Sequence, residues 1–73
     1  MTMVEGQQVV KKAKAGDRIY VALAWLPATE DPALVAMGRD ARDIEINYNR
    51  WLRSAGVRPI RALYVAADPV GLA

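Results

Sequence analysis

Residues 31–56 read DPALVAMGRDARDIEINYNRWLRSAG, and their periodicity organises the chain. Leu34, Met37, Ala41, Ile44, Tyr48, Trp51 and Ala55 recur at alternating intervals of three and four, which lays one apolar stripe along an α-helix. Asp31 can cap free amides in front of the stripe and Pro32 suits a first helical turn, while Gly56 and Pro59 stand behind it. Arg53 supplies the positive charge expected near a helix exit. The spacing therefore predicts a helix over 32–55, with Arg39 and Asp43 placed for an ion pair. Two features pull against it. Gly38 costs about 1 kcal/mol relative to alanine inside a helix and marks a candidate break. Ile44, Ile46 and Tyr48 also alternate with Glu45, Asn47 and Asn49 as a strand would, so the competing reading is two shorter helices joined by an extended piece.

Outward from this stretch lie two apolar runs. Residues 19–26 are apolar on both faces and end at Pro27, which predicts a central strand covered on two sides; a short buried helix competes. Residues 60–67 form a second such run, closed by Asp68-Pro69. Upstream, Val9 and Val10 beside Lys11, Lys12 and Lys14 predict a short edge strand over 8–15 that turns at Ala15-Gly16-Asp17. Strand, helix and strand from 19 to 67 make a βαβ unit, for which a parallel pair with a right-handed crossover is expected. The fold expected is a small α/β protein, a ββαβ unit with a two- to three-stranded mixed sheet and one long helix on one face. Residues 1–7 read as a flexible lead-in, 8–68 as a single compact domain and 69–73 as a short tail.

Composition narrows the function. The 73 residues include no cysteine and no histidine, so disulfides and thiolate- or imidazole-ligated metals have no ligands here. No metal site and no cofactor is expected. The chain is 53% hydrophobic, and one this short has difficulty hiding that fraction inside itself. Burial against a partner is the physical remedy. No stretch is long and apolar enough for a membrane span, and the first residues do not read as a secretory leader, so no membrane association and a cytoplasmic location are expected.

Charge is unevenly spread. Residues 1–18 carry three lysines and one arginine against two acids, residues 19–49 two arginines against five acids, and residues 50–73 four arginines against one acid. Lys11, Lys12, Lys14 and Arg18, with Arg58 and Arg61, are the candidate phosphate contacts, and Arg50 and Arg53 share one side of the expected helix. The acids at 40, 43 and 45 oppose nucleic acid along that helix. Nucleic-acid binding through the first strand and the C-terminal half of the helix is accordingly the second reading.

Residues for catalysis are few. Asp40, Asp43 and Glu45 lie close in sequence, the two aspartates with arginines nearby, and read as a solvated face, and Ser54, the only serine, has no histidine to activate it. The five glycines are isolated and form no phosphate-binding loop. Ile19-Tyr20-Val21, Asn49 and Gly56-Val57-Arg58-Pro59-Ile60 loosely resemble nucleoside deoxyribosyltransferase-like domains over about half the chain. The resemblance implies a larger sheet and carries over no active-site roles. Neither an enzyme nor a small-molecule substrate is expected.

The function expected is a protein-binding or self-associating module, such as a regulator, inhibitor or accessory subunit, with a homodimer the natural assembly. Its expected interface is Ile44, Ile46, Tyr48, Trp51 and Leu52, rimmed by Arg50 and Arg53, with Trp51 as the anchor because tryptophan buries a large area.

Overall fold

The structure is a computed structural model that describes residues 4–14 and 16–69. Five elements follow in order: α1 (Gln8–Lys12), β1 (Ile19–Trp25), β2 (Ala33–Gly38), α2 (Ala41–Ala55) and β3 (Arg61–Ala67). The three strands form one sheet in the order β2-β1-β3, and both neighbouring pairs are antiparallel. From β1 onward the chain is a ββαβ unit, as expected, but different residues supply its first two strands.

The predicted helix is too long by two turns. Residues 33–38 form β2, and the helix begins only after Asp40. Leu34 and Met37 belong to the strand, so the upper part of the stripe continued the helical spacing by coincidence. Residues 33–37 are all apolar and all at least half-buried, a burden that a strand with two covered faces carries better than an amphipathic helix. The break falls at Gly38, where a β-carbon would collide with the backbone of Ile44. Only glycine lets the strand turn so closely into the helix. Asp40 then accepts a hydrogen bond from the Asp43 amide at 2.8 Å, and Asp43 accepts one from the Arg39 amide at 2.9 Å. Arg39 also pairs with Asp43 at 3.7 Å, from outside the helix rather than within it. At the other end Gly56 adopts φ 71, the left-handed cap expected of it.

Asp31-Pro32, read as the helix start, lies instead in the loop between β1 and β2. Within it the Thr29 amide and hydroxyl both donate to the Leu26 carbonyl, and Ala28 sits at φ 66, a turn position that ordinarily favours glycine.

The extra strand reverses everything after it. β1 runs from the Ile19 end of the sheet to the Trp25 end, β2 returns, and Gly38 pairs with Tyr20. α2 crosses the sheet again, so β3 starts opposite Trp25 and runs antiparallel to β1. The parallel pairing expected between residues 19–26 and 60–67 is thereby overturned: these strands are antiparallel neighbours, and the two strands that point the same way are β2 and β3, with β1 between them. The sheet is antiparallel throughout, not mixed.

The edge strand expected over 8–15 is also corrected. Residues 8–12 are a helical turn, and both Val9 and Val10 are buried. Successive side chains of a strand point to opposite faces, which would leave one valine in water; a helical turn brings both onto the sheet. The lead-in is built into the fold from Val4 onward. Glu5 lies parallel to Ala36, donating to the Val35 carbonyl and accepting from the Met37 amide, so it closes the outer edge of β2. Of the tail expected over 69–73, all but Pro69 lies outside the described residues.

Two apolar clusters result. Ala22, Ala24, Val35, Ala36, Ile44 and Trp51 fill the space between sheet and α2, while Val9, Val10, Ile19, Val21 and Met37 lie on the opposite face beneath α1. The register between β1 and β2 shifts after Ala22, which leaves Val35 as the extra residue of a bulge and sends both Val35 and Ala36 toward α2. No described helix is long and apolar enough to cross a membrane.

Candidate interaction surface

α2 presents Ile44, Asn47 and Trp51 to the sheet. Ile44 is fully buried and Trp51 is 8% exposed, so both close the chain's own core and neither is offered to a partner. This corrects the expectation that Trp51 anchors an interface. Its stripe position is satisfied intramolecularly because α2 packs mainly on β2 and, to a lesser extent, on β1.

Tyr48 and Leu52 are half-buried along the same face. The Tyr48 ring lies 5.8 Å from that of Trp51 and meets Tyr64 of β3 edge-on at 5.7 Å. Ile46 is 44% exposed on the other side of the helix. It lines a cleft of about 250 Å³ over the β2 edge, together with Lys12, Arg39, Asp43 and Arg50. Arg53 is exposed and shares a shallow depression with Leu52, Gly56 and Arg58 at the opposite end of α2.

The basic residues divide into two groups. Lys11, Lys12, Lys14 and Arg18 are exposed near the Ile19 end of the sheet, where Lys12, Arg18 and Arg39 share a second cleft. Arg61 begins β3 opposite Trp25 at the other end, and its guanidinium lies 4.7 Å from the centre of the Trp25 ring. Six strand residues separate these ends, roughly 20 Å at ordinary strand rise. The expected phosphate track is thus two separated patches. Asp43 further tempers the first of them, since it already pairs with Arg39.

The surface that the sequence reading overlooked is β3. Among the described residues it has a strand neighbour on one side only, and residues 61–66 are exposed on both faces. Ile60 is 74% exposed, Leu63 44%, Tyr64 41% and Val65 37%, so a patch of large apolar side chains surrounds the outer strand. Tyr64 lies on the α2 side, level with Ala22, whereas Leu63 and Val65 lie on the other, level with Leu23 and Val21. α2 covers β2 and β1, α1 contacts β2, and β3 lies beside both layers rather than beneath them. Tyr64 ionises above the ordinary tyrosine value of 10.0, chiefly because partial burial disfavours the phenolate and secondarily because Glu45 and Tyr48 oppose its charge. The apolar run over 60–67 was the available signal; its exposure could not be read because it depends on which strand ends at the sheet edge.

Among the described residues no group of three or more acidic, histidine or cysteine side chains could hold a metal ion. In comparisons with known proteins, the chain matches no family model, no curated protein and no solved structure.

Proposed function

We propose that this chain is a protein-binding module whose docking surface is β3. One observation carries the reading: an edge strand whose Leu63, Tyr64 and Val65, together with Ile60 just before it, are all at least 37% exposed. An unpaired edge offers backbone donors and acceptors in a row, and apolar side chains on both faces add area that water solvates poorly. Affinity would come from the backbone ladder and from desolvating these four side chains, with Arg61 at the rim. Exposed apolar patches rimmed by charge are a recurrent mark of protein contact sites.

The test is site-specific photo-crosslinking in cells that produce the chain. A photoreactive residue at Leu63 is expected to give discrete protein adducts, whereas one at Arg42, exposed on α2, gives few. Equal labelling from both positions, or no adduct from Leu63, would overturn the reading.

A further inference from the structure

Resting on that reading of β3, we infer that its partner is a second copy of this chain, docked antiparallel about a two-fold axis beside Tyr64 to form one six-stranded sheet.

The strand's own composition selects this occupant. About Tyr64, Leu63 comes opposite Val65 of the other copy, Ala62 opposite Ala66 and Arg61 opposite Ala67. Apolar meets apolar, small meets small, and the one charged residue of β3 meets alanine. No like charges are opposed, which is the condition that self-pairing must satisfy. The two Arg61 side chains stand six residues apart along the ladder, about 20 Å, so their repulsion is largely screened. The Arg61 guanidinium is already turned over the Trp25 ring of its own chain, which clears the edge of its only cation.

β3 also lacks the devices that keep a solvent-facing edge unpaired. It contains no lysine and no proline, and its seven pairs with β1 run without a register shift. The opposite edge is treated differently. Glu5 bonds to Val35 and Met37 along the outside of β2, beyond a bulge. Among the described residues the β3 edge is open along its whole strand while the β2 edge is occupied by Glu5 at Val35 and Met37, an asymmetry that lets two copies join through β3 and disfavours growth beyond two. That outcome is a closed isologous dimer rather than a fibre. The axis also sets Tyr64 beside its own mate, so the edge-on Tyr48–Tyr64 pairs of both chains meet in one aromatic cluster on the α2 side.

The chain has no cysteine, so introduced thiols report the register directly. Chains carrying Ala62→Cys and chains carrying Ala66→Cys, mixed under mild oxidation, are expected to form a mixed disulfide, because directly opposed residues have Cβ atoms about 4.5–5.5 Å apart. Either variant alone is expected to cross-link more than about tenfold more slowly, since its own mate lies four residues away, about 14 Å. Tyr64→Cys, on the axis, is expected to cross-link alone. Sedimentation equilibrium of the unsubstituted chain should show reversible conversion between 8.0 kDa and twice that mass. Equal cross-linking of Ala62→Cys alone and in the mixture would overturn the two-fold register, and a monomer at every concentration would overturn self-pairing. A monomer whose Leu63 probe still labels a different protein refutes the second copy and leaves β3 as a docking strand. A monomer with no Leu63 adduct refutes both.

Discussion

Asn47 is the buried polar residue of α2, and replacing it tests how the β2 edge is held shut. Its side-chain Nδ2 donates to the Met37 carbonyl at 2.6 Å, while the Met37 amide donates to Glu5 on the same outer side of β2. Gly6, at φ 76, passes so close that a β-carbon there would run into both the Met37 carbonyl and the Asn47 amide. One side chain therefore ties α2, β2 and the N-terminal segment together. Asn47→Ala leaves a buried carbonyl without its partner, a cost of about 1–3 kcal/mol, and adds the loss of packed atoms at a site only 6% exposed. We expect a destabilisation of about 2–3 kcal/mol, against roughly 4–11 kcal/mol for the whole fold of a chain this size. At a urea slope near 1 kcal/mol per molar, the unfolding midpoint should fall by about 2–3 M. The Met37 amide should also exchange faster with solvent, because its Glu5 bond loosens with the segment. Asn47→Asp sharpens the test by setting an acceptor against an acceptor. The introduced carboxyl would have a folded pKa raised above its unfolded value of about 3.9, since only its protonated form can donate to Met37. Its contribution is then present below the unfolded pKa and lost as pH rises through the folded one, so the deficit is largest near neutrality and shrinks on acidification. An Asn47→Ala stability within about 0.5 kcal/mol of the parent, or an Asn47→Asp deficit that ignores pH, would refute the role assigned to this bond.

Two further outcomes follow from the placement of the aromatic residues. Trp51→Ala should cost about 3–5 kcal/mol by thermal or urea unfolding, because the ring fills the space between α2 and the sheet; loss of association with full retention of stability would contradict that placement. Tyr64 should contribute an ionisation step above the ordinary tyrosine value of 10.0 in an alkaline absorbance titration, and Tyr64→Phe should remove that step. Because its folded pKa is raised, its favourable contribution holds below the unfolded value and fades as pH climbs above 10.0, so alkaline destabilisation should be weaker in Tyr64→Phe. A titration in which Tyr64→Phe removes a step at or below the ordinary value would contradict the burial described.

What the sequence determined by itself was local. The apolar run closed by Pro27 was readable as a buried element, a central strand or in competition a short helix, and the helix ends at Gly56 because only a left-handed cap satisfies its last carbonyls easily. The Ile44–Tyr48–Trp51 spacing was likewise readable as one buried helix face. The true start at Asp40, with Asp43 three residues on, was also written in the chain, but Asp31-Pro32 offered a stronger-looking signal further upstream. The tertiary structure decided the rest. Pairing between β1 and β2 recruits residues 33–38 out of a helical pattern, because hydrogen bonds to a distant strand outweigh a local preference of a few tenths of a kcal/mol per residue. That one added strand reverses the direction of β3. It also sets the sheet order, and the order decides which apolar run is buried and which is exposed. Trp51 turned inward and Leu63 outward for the same reason: periodicity shows which residues share a face, while only the assembled layers show whether that face is covered.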